Sequence, residues 1–250
     1  MFSSKQQQEI FTERFGNIQL YLKQYCLKPN EESLHKLRVE IKKLRAISRF
    51  IDDTTKSNKT VNILQPVISI FKKAAQIRSI HIHMKLTHKL SGKKFRTEQL
   101  KLQKQKEALF VSKQARFTKQ LRKAGSKLPL KTENIKNKAI EKWFRLNLKK
   151  AYSRLKEGEH KFHSGRKIIK RLLYVNDAIA FTPGINKLYL KQVEELLGNW
   201  NDLTESNAFI EKEYPVEKKT MALLDKKSRQ STSAIKALIA NFKTRAIAKK

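Results

Sequence analysis

Apolar residues recur at intervals of three and four positions along almost the whole chain, a spacing that places them on one face of an α-helix. Glycine and proline are scarce, at 7 and 5 of 250 residues, and most of them fall between the periodic stretches, where helices end. The pattern predicts eight helices, at roughly 5–27, 30–53, 59–91, 93–124, 132–157, 159–181, 185–212 and 216–248. The fold is therefore predicted to be all-α, with short connections between helices.

One short pattern occurs twice in the chain. Residues 34–45 read LHKLRVEIKKLR and residues 162–173 read FHSGRKIIKRLL. Aligning the histidines of the two segments also aligns three pairs of cations, and the matched pairs are His35 and His163, Arg38 and Arg166, Lys42 and Lys170, and Lys43 and Arg171. Each copy begins the second predicted helix of its half. We therefore predict an internal duplication, with a four-helix repeat in 1–125 and another in 126–250.

The chain is strongly basic, with 56 Lys and Arg against 22 Asp and Glu and a formal net charge of +34. Such an excess destabilises the folded chain by self-repulsion and attracts anions to its surface. On the helix of the first copy, five basic side chains share a stripe about 80° wide. This stripe lies on the second predicted helix, α2, at 30–53, and is called the α2 stripe. It consists of His35, Arg38, Lys42, Arg45 and Arg49. Apolar residues flank the stripe on both edges, so it is predicted to border the core, as the wall of a groove does.

The second copy has a similar stripe with an aromatic residue beside it, formed by His163, Arg166, Lys170 and Tyr174. It lacks the third arginine, because Leu173 stands there, and Gly165 replaces an apolar residue of the core face. We therefore expect the second half to contribute less of the affinity for an anion.

The residue types of the stripes are suited to a linear anion. Arginine offers a planar fork of donors, lysine a point charge, and histidine becomes cationic when a nearby anion raises its pKa. Basic groups one helical turn apart, ~5.4 Å, can follow an anion that repeats along one axis. Charge alone leaves nucleic acid and an anionic membrane surface open as partners.

The H-x-x-R-x-x-x-K-[KR] pattern, present twice in a basic helical chain, resembles that of the CHAD family, the conserved histidine α-helical domain. Two further segments are similar to the helices that follow the motifs in that family. These are LQPVISIFKKAAQIRSIHIHMKL at 64–86 and LYLKQVEELLGNWNDL at 188–203. The resemblance covers residues 5–245. It implies two pseudo-symmetric four-helix bundles around a basic central cavity, binding of inorganic polyphosphate without catalysis, and association with polyphosphate granules.

The resemblance also implies which residues bind polyphosphate, or phosphate or sulfate ions in its place. By motif position, the resemblance assigns this role to His35, Arg38, Lys42, Arg45, His163, Arg166 and Lys170. From their place on the stripes, beside them or on the neighbouring helix, we add Lys43, Arg49, Lys73, Arg78, Arg171 and Tyr174. Ser79 stands where the family often has an acid, so the intrahelical pair that would orient Arg78 is missing.

Other basic positions are compatible with either the same cavity or a solvated surface. They are Lys72, His81, His83 and the stretch 93–131, which holds 13 Lys or Arg against Glu98 and Glu107. The two histidines are two positions apart and project in different directions from a regular helix, so they are not expected to hold one metal ion.

The sequence gives no support for catalysis, a metal site or a cofactor. It has no glycine-rich phosphate loop and no acidic cluster of the kind that holds a catalytic metal. An enzyme acting on phosphate chains is therefore disfavoured, and a nucleic-acid-binding protein is the main alternative to a polyphosphate-binding module. The single Cys26 excludes an internal disulfide, and neither a signal-like segment nor a long apolar run is present. We expect a cytoplasmic protein without membrane insertion.

Overall fold

The computed structural model describes residues 1–87, 93–128, 133–179, 181, 184–213 and 218–248. Within those residues the chain is helical, and the only β-structure is two isolated bridges, Phe2 with Ile135 and Ile185 with Ile247. The helices are α1 (Ser4–Leu27), α2 (Glu31–Thr55), α3 (Lys59–Ile63), α4 (Gln65–Thr87), α5 (Lys93–Val111), α6 (Gln114–Lys127), α7 (Asn137–Lys156), α8 (Glu159–Ala178), α9 (Lys187–Glu213), α10 (Lys218–Ile239) and α11 (Phe242–Arg245). The predicted all-α fold is confirmed.

Three of the eight predicted helices are each divided in two. The division falls at Leu64 between α3 and α4, at residues 112–113 between α5 and α6, and at 240–241 between α10 and α11. A turn of one or two residues leaves the apolar positions nearly in phase, so the periodicity continues across the break. Parts of the predicted helices lie outside the described residues, at 88–91, 132, 180 and 216–217, as do residues 129–131 of the basic stretch.

The chain forms two compact units. The first unit is Met1–Ile140 with Ala178–Phe181, and the second unit is Glu141–Asp177 with Thr182–Lys250. The internal duplication, its boundary near residue 125 and the basic central cavity stay predictions. None of the described helices is long and apolar enough to span a membrane.

In the first unit, α2 packs against α1 and α4 through the face that the sequence predicts as core. Five residues of that face are at most 3% exposed, and they are Leu34, Leu37, Ile41, Leu44 and Ile51. Burying a side chain of this kind contributes about 1.5–3 kcal/mol relative to leaving it in water. The core therefore fixes the rotation of α2 about its axis and so the direction of its basic stripe.

Both ends of α2 are fixed by side-chain hydrogen bonds. The Asn30 side chain accepts a hydrogen bond of 2.8 Å from the backbone N–H of Ser33, which caps the start of the helix. Near the other end, the buried Asp52 carboxylate accepts hydrogen bonds from the backbone N–H groups of Thr60 and Val61, at 3.1 and 2.8 Å. These two bonds tie the start of α3, and hence the chain leading into α4, to α2.

In the second unit, aromatic packing and a glycine contact set the position of α8. The rings of Phe162 on α8 and Trp200 on α9 pack edge to face, with centroids 5.3 Å apart. The Trp200 indole donates a hydrogen bond of 3.1 Å to Thr232 on α10. On another side of α8, Gly165 lies so close to α7 that a Cβ there would be 2.6 Å from Leu155 Cδ2. The glycine that replaces a core residue in the second motif thus allows close helix contact.

Candidate anion-binding site

Three cations of the α2 stripe gather on one aromatic ring of α4. The Arg38 and Arg45 guanidinium carbons lie 5.1 and 5.7 Å from the centroid of the Phe71 ring, and the Lys42 ammonium nitrogen lies 5.8 Å from it. A cation within about 6 Å of a ring centroid is attracted by the negative face of the ring. All three cations are half-buried. The middle of the stripe therefore borders the contact between α2 and α4, as the apolar flanks predict.

The ends of the stripe are exposed. His35 lies in the second turn of α2 and Arg49 four turns further on, and both are solvent-exposed. The stripe is therefore accessible to a ligand at both ends, with half-buried cations between them.

Arg45 and Arg49 are two like charges one turn apart. Burial, and then the neighbouring Arg49 charge, lower the pKa of the Arg45 guanidinium below its ordinary value. No carboxylate forms an ion pair with either arginine in the described part of the chain. Because an arginine stays cationic in a protein, this repulsion persists until an anion approaches.

Arg78 on α4 is oriented by an acidic residue of another helix, although Ser79 provides no acid beside it on α4. Its guanidinium forms an ion pair with Glu31, in the first turn of α2. Glu31 precedes His35 by about one turn, so Arg78 lies near the N-terminal end of the α2 stripe. The orientation that the sequence left undetermined comes from a contact between helices.

Lys43 forms an internal ion pair beside the stripe. Its ammonium donates a hydrogen bond of 2.7 Å to the carboxylate of Glu40, which also accepts one of 2.7 Å from Arg14 on α1. Burial opposes the ionisation of Glu40, but the hydrogen bonds from Lys43 and Arg14 outweigh it and lower the pKa of this carboxyl. Lys43 thus contributes to the contact between α1 and α2. On α4, Lys72 is exposed and Lys73 is half-buried.

In the second unit, the motif cations of α8 are paired with α9. Arg166 Nε and Nη2 each lie 3.0 Å from Glu194 Oε1, and Lys170 Nζ lies 2.8 Å from the same oxygen. The His163 ring shares a hydrogen bond with the Asn201 side chain, whose amide nitrogen donates to Glu205 at 2.9 Å. His163, Arg166 and Lys170 of α8 thus all contact side chains of α9, and we call the stripe that they form with Tyr174 the α8 stripe.

A glycine of α9 makes room for the Arg166 guanidinium. A Cβ at Gly198 would be 2.7 Å from Arg166 Nη2, closer than real side chains allow. Arg166 Nε also lies 3.4 Å from the backbone oxygen of Glu194. The guanidinium therefore lies along α9 over the turn from Glu194 to Gly198.

The remaining predicted residues of the second motif flank these contacts. Lys170 Nζ lies 5.9 Å from the centroid of the Tyr174 ring, so the aromatic residue predicted beside the stripe contacts one of its cations. Tyr174 and Arg171 are both half-buried.

His81 and His83 lie on α4 outside the α2 stripe. His81 Nε2 is 3.8 Å from Glu107 on α5, and burial lowers the pKa of its imidazole, against the carboxylates of Glu31 and Glu107, which raise it. His83 is buried with its ring 3.4 Å from the Ser79 hydroxyl. His81 thus contacts α5, and His83 contacts a side chain one turn away on α4. Among the described residues, no three His, Cys, Asp or Glu side chains cluster as metal ligands.

Four residues in contact with side chains of the two stripes were not among the predicted site residues, and they are Phe71, Glu194, Gly198 and Asn201. All four lie in the two segments that follow the motifs, at 64–86 and 188–203. The sequence shows that Glu194, Gly198 and Asn201 are spaced by about one helical turn. It does not show which residue each of the four faces.

Comparison with known proteins agrees with this architecture. The model of the CHAD domain family matches residues 9–211. The crystal structure of the CHAD domain from the plant Ricinus communis superposes with a TM-score of 0.67 at 16% sequence identity, over 97% of this chain and 87% of the plant chain. No curated protein sequence gave a significant match. The family match extends over most of the sequence and includes both histidine motifs, so this chain belongs to the CHAD domain family.

Proposed function

We propose that this protein binds inorganic polyphosphate, without catalysing a reaction, through the basic stripes of α2 and α8. The supporting observation is the gathering of Arg38, Lys42 and Arg45 on the Phe71 ring. This cluster holds several positive charges at close range in half-buried positions, where their attraction to an anion is stronger than in bulk water. A chain of phosphates offers one oxygen-rich anionic group after another to such a row.

The next turn of α2 extends the cluster. Arg49 is exposed and lies near Arg45, and the repulsion between the two guanidinium groups would be relieved by a phosphate bound to both. Arginine forks bind phosphate in a bidentate manner, so this end of the stripe is suited to hold one phosphate of the chain firmly. We further propose that such binding associates the protein with polyphosphate granules in the cytoplasm.

The first experiment removes one motif arginine from each unit. Arg38→Ala together with Arg166→Ala is expected to weaken the binding of long-chain polyphosphate by at least ~10-fold, because charge-assisted hydrogen bonds are lost in both stripes. Affinity is measured by filter binding at fixed salt, and circular dichroism checks that helical content is unchanged.

The matched control removes one exposed arginine from each unit away from the stripes. Arg116→Ala on α6 with Arg145→Ala on α7 changes the net charge by the same amount. Only a small loss is expected from this pair. Equal losses from the two double variants would mean that overall charge determines binding and that the stripes have no special role.

The second experiment separates polyphosphate from nucleic acid. Both ligands bind a basic protein in a salt-dependent manner, so salt dependence alone does not distinguish them. At physiological salt, long polyphosphate is expected to displace duplex DNA or RNA at a lower phosphate concentration than the reverse exchange requires. If nucleic acid displaces polyphosphate more readily, the protein is a nucleic-acid-binding one.

A further inference from the structure

The motif cations of the two units meet different side chains. In the first unit, Arg38 and Lys42 lie at 5.1 and 5.8 Å from the ring centroid of Phe71 on α4. In the second unit, the cations of the same motif positions lie at 3.0 and 2.8 Å from the carboxylate of Glu194 on α9. Phe71 thus brings an aromatic ring to these cations of α2, and Glu194 brings a carboxylate to those of α8.

Glu194 makes the contacts that a bound phosphate oxygen would make. A single carboxylate oxygen, Oε1, accepts hydrogen bonds from Arg166 Nε and from Lys170 Nζ and forms the ion pair with Arg166 Nη2. Its side chain is only 14% exposed. Because carboxylate and phosphate oxygens are both anionic acceptors with similar preferences, they require the same donors.

The Arg166 side chain is held in this arrangement by more than one contact. Its guanidinium also lies over Gly198 and near the backbone oxygen of Glu194. A phosphate that takes up the donors of Arg166 must therefore displace the Glu194 carboxylate or bind beside it, against the repulsion of like charges.

We propose that Glu194 is an internal competitor for the anion, which lowers the affinity of the second unit for polyphosphate. This inference rests on the proposed function for the identity of the ligand. The Glu194 carboxylate must leave Arg166 and Lys170 before phosphate occupies their donors. In the first unit the Phe71 ring supports the cations through its face and cannot occupy the position of an anion.

The direct test neutralises the competitor without changing its shape. In the full-length chain, Glu194→Gln is expected to bind long-chain polyphosphate ~3–10-fold more tightly than the wild type, because the amide no longer competes as an anion. The matched control is Glu195→Gln, which changes the net charge equally at the next, exposed position of α9. It is expected to change affinity less than about twofold, as a screened surface charge does.

The reciprocal test introduces a competitor into the first unit. Phe71→Glu is expected to bind polyphosphate ~3–10-fold more weakly than Phe71→Gln, which loses the same ring but adds no charge. Comparing these two variants separates the effect of the carboxylate from the loss of the cation–ring contacts. Circular dichroism and thermal unfolding of both variants check that α4 remains packed.

The outcomes distinguish this inference from the proposed function. Absence of polyphosphate binding by the wild type overturns both. Binding by the wild type with equal affinities for Glu194→Gln and Glu195→Gln overturns only the inference. Weaker binding by a fully helical Glu194→Gln variant also overturns it, because Glu194 would then position the two cations for the ligand.

Discussion

At the residue scale, two helical glycines of the second unit, Gly165 and Gly198, have separate structural roles. Gly165 allows α8 to approach Leu155 of α7, and Gly198 leaves room for the Arg166 guanidinium on α9. In the sequence alone, Gly165 is only the loss of an apolar core residue. The structure provides the reason for the glycine, because any side chain there would overlap a leucine that is 1% exposed.

Gly165→Ala is expected to destabilise the protein by about 1–3 kcal/mol, the usual cost of overpacking a core. The new Cβ would meet Leu155 Cδ2 and Cγ at 2.6 and 2.9 Å, which outweighs the better helix propensity of alanine. The free energy of unfolding from urea titration measures the effect.

Gly16→Ala on α1 is the control for this substitution. Gly16 is exposed, and a Cβ added there would have no neighbouring atom within 4 Å, so alanine should stabilise by up to about 1 kcal/mol through helix propensity alone. A stabilising effect of alanine at both positions would contradict the close contact of α8 with Leu155.

At the element scale, α5 packs on α4 across a buried polar contact. His81 of α4 faces Glu107 of α5, and Gln103 donates a hydrogen bond of 2.9 Å to the same carboxylate. Burial lowers the pKa of His81, so the folded state favours its neutral imidazole. In the unfolded chain the same imidazole takes up a proton near pH 6.5.

Acidification is therefore expected to weaken this pair of helices. A lowered pKa in the folded state means that the unfolded chain binds the proton first, so stability is lost as the pH falls through about 6.5. His81→Gln should show a smaller fall in the free energy of unfolding between about pH 7.5 and 5.5 than the wild type. The control is His160→Gln, at an exposed histidine of α8. It should show the same fall in the free energy of unfolding on acidification as the wild type, because His81 is still present. Identical pH profiles for the wild type and His81→Gln would contradict the role of His81.

The elements also show where local periodicity misleads. The breaks at Leu64 and at residues 112–113 interrupt the backbone hydrogen bonds of the helix but not the spacing of apolar residues. Leu64 is itself 1% exposed, so it remains in the core pattern while the helix is broken around it. Helix ends of this kind depend on packing with neighbours that are distant in sequence.

At the scale of the whole molecule, the charge of +34 opposes folding. Helix α6 contains no acidic residue, and α7 exposes several cations on one side, among them Lys142, Arg145 and Lys149. The self-repulsion is therefore spread over surfaces well beyond the two stripes.

Salt and polyphosphate are both expected to raise the thermal unfolding temperature, but by different mechanisms. Raising NaCl from about 0.05 to 0.5 M screens the repulsion between surface charges. Long-chain polyphosphate at micromolar concentration should raise the midpoint further at fixed ionic strength, because a ligand that binds the folded state stabilises it by mass action. Differential scanning fluorimetry measures both effects. A midpoint that depends only on ionic strength would contradict specific binding.

The sequence by itself determined the helical class, the core face of α2, its basic stripe and the family. These properties follow from local regularities, since a period of 3.6 residues assigns each side chain to a face of its helix whatever lies opposite. The net charge and the spacing of the motif residues depend only on the residue types and their order along the chain, so the sequence also shows them.

Only the tertiary structure decided what each cation meets. Lys43 and Arg45 are two residues apart, yet one pairs with Glu40 while the other lies on the Phe71 ring. Arg166 meets Glu194, 28 positions away. Such pairings depend on how whole helices pack, because a rotation or shift of one helix changes every contact along it. Local periodicity contains no information on that arrangement.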